Sequence, residues 1–286
     1  QQDFTGHASD TLLETDEMGL RRLARNYLSK RLARDIAHPA SHSVQSTISL
    51  MRPVATGHEL IRIGGPADGG YLLPDDLDGI VACFSPGVST TADFEMQLAK
   101  DFKIRSFLAD GTVEGPPEPH ELLHFTKKNI GAADDENLMT MEGWVAGAPD
   151  LPATGDLLLQ MDIENAEYEA LIFASRDLLR RFRIITIEFH SVGDLMSGID
   201  LGLFVLILKK LNADFVVAHL HANNAADTMK VGSVEIPQIL ELTLLRRDRV
   251  KPGGPTPVLP HPLDRDNVDT RPPIKLQKIW WSDQGS

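Results

Sequence analysis

The stretch LLLQMDIENAEYEAL, residues 157–171, carries the clearest fold signal in the chain. Its first five residues are typical of a buried strand, and the acidic residues that follow open a predicted helix over residues 165–182. A strand that leads directly into a helix is the repeating unit of a parallel sheet covered by helices. The stretch therefore predicts an α/β fold with Asp162 and Glu164 at a strand end and with Glu167 capping the helix.

The same alternation of strands and helices extends over most of the chain. Helices are predicted at residues 92–101, 165–182 and 200–212. The last two strands are separated by a long polar loop without a helical pattern, residues 222–237, which predicts an antiparallel end to a parallel sheet. Runs rich in β-branched and apolar residues predict seven strands, at residues 79–84, 104–108, 122–126, 157–161, 184–189, 215–220 and 238–245.

Composition divides the chain into three parts. Residues 1–57 predict an N-terminal helical flank, because apolar residues recur at helical spacing among charged ones. Residues 58–250 contain all seven predicted strands. Residues 251–286 form a proline-rich C-terminal extension, which we expect to be extended and to be anchored by Trp280 and Trp281.

Composition and charge exclude several classes of protein. With 42% hydrophobic and 24% charged residues, the chain is typical of a globular protein. A formal net charge of -13 disfavours nucleic acid as a partner and favours a neutral or cationic ligand. The longest apolar run, residues 201–208, is too short to span a membrane. The single cysteine, Cys83, excludes an internal disulfide framework, so we expect a cytoplasmic protein.

Small and acidic residues follow the first two predicted strands, where parallel sheets bind ligands. The first strand runs into Ser85-Pro86-Gly87, a turn of small residues that lets a ligand approach backbone N–H groups. The second strand ends at Asp110, in the place where nucleoside-binding folds hold ribose hydroxyls. Spacing alone is equally consistent with a plain turn and a capping aspartate. The segment IGGPADGGYL predicts a tight turn that places Tyr71 near the first strand.

Carboxylates and imidazoles follow the fourth, fifth and sixth strands. The period of two along a strand places Glu188 and His190 on one face, and likewise His219 and His221. We predict that Asp162, His190 and His221 form one catalytic cluster in which His190 is the general base. The alternative is a divalent metal (Mg, Mn, Fe or Zn) with carboxylate and imidazole ligands, namely Asp162, Glu188, His190 and His221.

In their order along the chain, these motifs resemble the FkbM-type S-adenosylmethionine-dependent methyltransferases. The resemblance covers roughly residues 58–248 and is carried by MDIENAEYEALI followed by IITIEFH, and by DGGYL, SPGVSTTADFE, FLADGT, FTKKNIG and HLHANN. It implies a Rossmann-like class I methyltransferase fold. Such a fold has a seven-stranded, mostly parallel sheet with an antiparallel last strand and with helices on both faces.

The resemblance also implies a cofactor, S-adenosyl-L-methionine, and a place for each of its parts. The methionine part would border Ser85 and Gly87, the ribose would bind Asp110, and the adenine would lie beside Asn129 and Ile130. Together with the DGGYL tyrosine and the acid facing the reaction centre, the candidate cofactor-binding residues are Tyr71, Ser85, Gly87, Asp110, Asn129, Ile130 and Asp162.

Two positions depart from the family pattern. The first strand shows Ser85-Pro86-Gly87 in place of the usual acid-x-Gly-x-x-Gly string, and Asn165 replaces the glycine of the DIEGAE motif. Asparagine tolerates a left-handed backbone better than most residues, so the second change alters little more than a turn.

The resemblance implies O-methylation of a hydroxyl on a carbohydrate or a glycosylated small molecule. Independently of the resemblance, we expect the C-terminal extension to lie over the core or on a partner chain, and in the second case the chain would be a homo-oligomer. Two alternatives stay open at this point. One is a catalytically inactive S-adenosylmethionine-binding protein, which the two departures would explain. The other is a metal-dependent nucleotide-sugar enzyme that uses Asp110 for the ribose.

Overall fold

The computed structural model describes residues 43–198 and 200–282. From Val44 onward these residues belong to one compact unit, Val44–Ser286. Residues 1–42 of the predicted N-terminal helical flank lie outside the described residues. Within the described ranges, no helix is both long and apolar enough to cross a membrane.

Eleven strands and seven α-helices are formed by the described residues. The strands are β1 Leu60–Ile63, β2 Tyr71–Pro74, β3 Ile80–Pro86, β4 Arg105–Ala109, β5 Leu123–Thr126, β6 Asn129–Ile130, β7 Leu138–Met139, β8 Asp156–Met161, β9 Phe182–Phe189, β10 Phe215–Val231 and β11 Val234–Arg246. The helices are α1 Val44–Ser49, α2 Asp93–Gln97, α3 Met141–Gly147, α4 Glu167–Phe173, α5 Arg176–Leu179, α6 Val192–Ser197 and α7 Leu201–Asn212.

The predicted Rossmann-like sheet is confirmed. Seven strands form one sheet in the order β10-β11-β9-β8-β3-β4-β5, and each overlaps one of the seven predicted strands. β3, β4, β5, β8 and β9 pair in parallel, whereas β11 runs antiparallel to both of its neighbours, β9 and β10. The last strand in the sequence is therefore the antiparallel one, as expected.

The polar loop predicted at residues 222–237 is instead a continuation of β10 and β11. The two strands run on as a long hairpin whose last pair is Val231 opposite Val234, with a break in register between Asn223 and Thr228. Polar side chains are tolerated there because most of this arm of β10 is not buried. The strand pattern fails to identify the arm because neither face of it is consistently apolar.

The helix predicted over residues 165–182 is divided in two. α4 ends at Phe173, and α5 starts after Ser175, whose extended backbone leaves its hydroxyl free to accept a hydrogen bond from the N–H of Leu178 at 3.1 Å. A serine with this geometry is an N-cap, so it starts a new helix. Before α4 the chain turns through Asn165 with φ at 77°, the left-handed conformation expected from the sequence.

Each face of the sheet is covered by different elements. One face packs against a large apolar cluster that includes residues of α3 to α7, and Trp280 from the end of the chain lies fully buried within it. The other face carries a smaller cluster in which the β1–β2 hairpin and α2 cover Cys83, Leu158, Ile184 and Leu245. Helices thus lie on both faces, but the hairpin covers much of the second one.

The second face changes from apolar to polar toward the carboxyl ends of the strands. On β3 this change runs from Cys83 to Ser85, and on β8 from Leu158 to Gln160. Because side chains alternate between the two faces, the residues that follow on this face are the polar ones of the sequence motifs. The sheet thereby positions the candidate site on the side covered by the β1–β2 hairpin.

Candidate functional site

A cavity of about 610 Å³ opens at the carboxyl ends of β3, β4 and β8. The chain leaves β3 toward β4 on one side of the sheet and later returns to β8 on the other, so the cavity lies where the strand order reverses. Open α/β sheets bind their ligands at this point. Six of the predicted cofactor-binding residues line the cavity: Tyr71, Gly87, Asp110, Asn129, Ile130 and Asp162.

Gly87 brings the ends of two strands into direct contact. Its φ is 88°, and a Cβ atom at this position would lie 1.5 Å from the carbonyl oxygen of Asp162. The N–H of Asp162 in turn donates to the carbonyl oxygen of Pro86 at 3.3 Å. No residue other than glycine fits here, so the small-residue turn of the sequence is required by packing as well as by any ligand.

Asp110 is held as a fixed, ionised acid at the end of β4. Its Oδ2 accepts from the N–H of Ser89 at 2.8 Å, and its Oδ1 accepts from the N–H and hydroxyl of Thr112 at 2.7 and 2.6 Å. Burial opposes the charged form, but these hydrogen bonds outweigh it and lower the pKa of Asp110. One of the four lone-pair positions of the carboxylate is left for a ligand hydroxyl.

The seventh predicted cofactor residue, Ser85, lies beneath the cavity rather than in its wall. Its hydroxyl is fully buried and lies within hydrogen-bond distance of Glu95 Oε1 and of Gln160 Oε1, and both of these residues line the cavity. Gln160 Nε2 donates to the hydroxyl of Tyr71 at 3.3 Å, which donates to Glu188 Oε2 at 3.3 Å. A chain of buried polar groups thus joins the cavity to Glu188 of β9.

The walls of the cavity are strongly acidic. Among the described residues that line it there is no Lys, Arg or His, and seven are acidic: Asp68, Asp93, Glu95, Asp110, Asp162, Glu164 and Glu169. A concave surface with one sign of charge raises the local concentration of ligands of opposite charge. The cavity is therefore suited to a cationic ligand and unsuited to a diphosphate.

Asp162, Glu188 and His190 meet at one side of the cavity. One ligand atom from each of the three lies within 4.8 Å of the others. His190 Nε2 is 3.8 Å from Asp162 Oδ1 and 3.6 Å from Glu188 Oε1. Burial, with the charges of Glu164 and Asp68, outweighs the attraction of His190 and raises the pKa of Asp162 to about 7. Burial and the charge of Asp162 likewise raise the pKa of Glu188. Such a group stabilises a bound cation or a proton.

Glu167 belongs to the site, although the sequence predicts only a helix cap. Its side chain is fully buried, and its Oε1 lies 2.9 Å from Nδ1 of His190 and accepts from the N–H of Ile163 at 3.1 Å. A carboxylate at Nδ1 holds the proton on that nitrogen and leaves Nε2 facing Asp162 and Glu188. Burial opposes the charged imidazole, but the hydrogen bond and charge of Glu167 outweigh it and raise the pKa of His190.

His221 lies apart from this group. Glu241 of β11 stands directly opposite Glu188 on one side and His221 on the other, so two strand spacings separate them. Burial opposes protonation of His221, but the charges of Glu241 and Asp264 raise its pKa to about 9. A protonated imidazole neither accepts a proton nor ligates a metal. The structure brings together Asp162, Glu188 and His190 and places His221 in a second cluster.

The second cluster includes residues of the C-terminal extension, in which the sequence predicts no candidate site residue. Asp264 Oδ1 lies 2.8 Å from His219 Nε2, and Asp264 Oδ2 lies 3.6 Å from His221 Nδ1. Asn267 Nδ2 donates to Glu241 Oε1 at 2.9 Å and to Asp68 Oδ1 at 3.1 Å. No periodicity marks these residues, because the segment from 251 to 277 forms neither helix nor strand.

Comparisons with known proteins add little to this geometry. No protein-family profile and no curated protein matches the sequence. The chain is similar to the N-methyltransferase NodS from Bradyrhizobium japonicum WM9, with 8% identity over 59% of this chain and 87% of that one, at a TM-score of 0.31. It is also similar to the precorrin-6y C5,15-methyltransferase from Geobacter metallireducens GS-15, with 11% identity over 71% of this chain and 88% of that one, at a TM-score of 0.31. A third similar structure is that of the plantazolicin methyltransferase BpumL in complex with SAH, with 8% identity over 58% of this chain and 76% of that one, at a TM-score of 0.27. These scores are too low to support a conclusion on function, so the FkbM-type resemblance stays a prediction.

Proposed function

We propose that the chain is an S-adenosylmethionine-dependent O-methyltransferase whose acceptor is a hydroxyl of a carbohydrate or a glycosylated small molecule. One observation carries the proposal: the cavity at the reversal of strand order has seven acidic residues and no basic ones among its described lining. S-adenosylmethionine carries a sulfonium and an ammonium group, so its charge suits these walls. Gly87 and Asp110 stand where the methionine and ribose parts are expected to bind.

The nucleotide-sugar alternative is disfavoured by the same observation. A sugar diphosphate carries negative charge, and proteins that bind it supply Arg, Lys or a metal to the phosphates. The described cavity wall offers Asp110 for a ribose but no cationic side chain for a diphosphate. The acids would repel such a ligand.

Methyl transfer to a hydroxyl requires that the acceptor lose its proton. The acceptor oxygen would attack the methyl carbon while the carbon–sulfur bond breaks, and S-adenosylhomocysteine would leave as a neutral thioether. We assign the hydroxyl proton to His190 Nε2, which Glu167 orients and whose pKa it raises. The imidazole would then be a stronger base than an ordinary histidine.

A metal centre is the second candidate for activating the hydroxyl. Asp162, Glu188 and His190 supply two oxygen donors and one nitrogen donor within 4.8 Å of one another, a set that suits Mg, Mn, Fe or Zn. When bound, such an ion lowers the pKa of a coordinated hydroxyl. We leave His221 out of the set because its raised pKa keeps it protonated near neutral pH.

Calorimetry and product analysis test the proposal together. We expect S-adenosylmethionine to bind the purified chain and UDP-glucose not to bind. Incubation with a panel of monosaccharides and glycosides should release S-adenosylhomocysteine, detected by mass spectrometry. His190→Ala should bind S-adenosylmethionine but should not produce S-adenosylhomocysteine. Cofactor binding with no release for any acceptor would support the inactive binding protein. Binding of UDP-glucose alone would overturn the proposal.

A further inference from the structure

A buried acid that the proposed chemistry does not use lines the cofactor cavity. Glu95 lies on α2, ten positions after Ser85, and only 4% of its surface is exposed. Its Oε1 lies within hydrogen-bond distance of the Ser85 hydroxyl. Throughout residues 43–198 and 200–282, no Lys, Arg or His side chain forms an ion pair with Glu95.

A buried carboxyl group without a cation is costly. Burial raises the pKa of Glu95, and the hydrogen bond from Ser85 only partly offsets this effect. A cationic group of a ligand in the cavity would offset this cost, because it would pair with the buried carboxylate. The carboxyl of Glu95 is thus buried, lines the cavity and has no cationic partner among the described residues, as expected of a ligand-binding acid.

The position of Glu95 also matches a gap in the sequence. The resemblance leads us to expect an acid at the end of the first strand, where this chain has Ser85. In the structure, Glu95 reaches back from α2 to the same serine, two residues before the Gly87 turn. A helix side chain thereby brings a carboxyl group to the strand end that lacks one.

We propose that Glu95 binds the α-ammonium group of the methionine part of S-adenosylmethionine. This inference rests on the proposed function, since it presumes an adenosyl cofactor in the cavity. The ammonium has three N–H donors, so it would donate a charge-assisted hydrogen bond to the Glu95 carboxylate beside Ser85.

Three adenosyl probes separate the parts of the cofactor. S-adenosylmethionine carries both cations, S-adenosylhomocysteine keeps the ammonium without the sulfonium, and 5′-methylthioadenosine has neither. For Glu95→Gln we expect the dissociation constants of the first two to rise about tenfold or more, and that of the third to be unchanged. Asp101→Asn, an exposed acid just after α2, is the control and should bind all three like the wild type.

The remaining outcomes overturn the inference. Equal weakening of all three probes would mean that Glu95 is structural, and weakening of S-adenosylmethionine alone would place it at the sulfonium. Unchanged affinities would remove it from the site. If the wild type binds none of the probes, the proposed function itself fails. Should Glu95→Gln not show a cooperative thermal transition, Glu95→Asp provides the second variant, because it keeps the charge but shortens the reach and should weaken the same two probes.

Discussion

Glu167 Oε1 lies 2.9 Å from Nδ1 of His190, a residue 23 positions further along the chain. Glu167 is the first residue of α4, and His190 directly follows the end of β9. The two side chains therefore meet only because α4 packs against the sheet. The pair resembles the carboxylate–histidine arrangement that orients a catalytic or metal-binding imidazole. Its consequence is a histidine whose Nε2 faces the acids of the cavity.

The charge of Glu167 should set the pH dependence of methyl transfer. The pKa of His190 is raised above its ordinary value of 6.5, so the rate should rise with pH and reach half of its maximum above that value. Glu167→Gln keeps a hydrogen-bond acceptor but removes the charge, so the half-maximal point of kcat/KM should move to lower pH. Asp177→Asn, an exposed acid on the next helix, is the control. An unmoved profile in Glu167→Gln would contradict the pairing.

The ionised form of Asp162 should destabilise the folded chain at neutral and alkaline pH. Its pKa is raised from 3.8 to about 7 in the folded chain, so folding favours the protonated form, and stability is lost as the pH rises between these two values. Asp162→Asn should therefore be more stable than the wild type above this window and no more stable below it. Thermal unfolding at about pH 4 and about pH 8 measures the difference. If Asp162→Asn is stabilised equally at both pH values, the charge of Asp162 is not the cause of the stability difference.

Asp110 should contribute directly to cofactor affinity. Asp110→Ala removes a charge-assisted hydrogen bond to a ribose hydroxyl and should weaken S-adenosylmethionine binding by roughly 1.5 to 3 kcal/mol. Because Asp110 also holds the N–H groups of Ser89 and Thr112, part of this loss reflects a looser turn. Isothermal titration measures the affinity, with the exposed Glu118→Gln as a matched control. An affinity equal to that of the wild type would remove Asp110 from the site.

A divalent ion should reveal the candidate metal centre by thermal shift. We expect Mn²⁺ to raise the melting temperature of the wild type, because it would relieve the repulsion between Asp162 and Glu188. Glu188→Gln removes one ligand and should lose most of this shift. If such an ion activates the hydroxyl, a chelator should abolish turnover while sparing cofactor binding. If Mn²⁺ does not raise the melting temperature of the wild type, the metal centre is excluded and His190 is left as the proposed activating group.

Trp280 should anchor the C-terminal extension to the core. Its side chain is fully buried in the larger apolar cluster, whereas Trp281 is only partly buried against it. Trp280→Ala should lower the free energy of unfolding by about 3–5 kcal/mol, and Trp281→Ala should cost distinctly less. Chemical denaturation measures both values. Equal losses would show that burial does not distinguish the two residues.

Local patterns of residues were sufficient to predict the strands and the strand-end turns of this protein. Periodicity predicted all seven strands of the central sheet, and alternation correctly placed Glu188 and His190 on one face, because both depend only on neighbouring residues. The Gly87 turn and Asp110 were predicted at strand ends for the same reason, and both line the cavity.

Which distant residues share a site depends on how the strands and helices pack, and could not be predicted from local patterns. The strand order separates His221 from Glu188 by the width of β11, and helix packing turns Glu167 toward His190 and Glu95 toward Ser85. The extension brings Asp264 and Asn267 to the sheet from a segment with no repeating pattern. Distances and burial between residues far apart in the chain arise from the packing of whole elements, and local spacing in a sequence does not encode them.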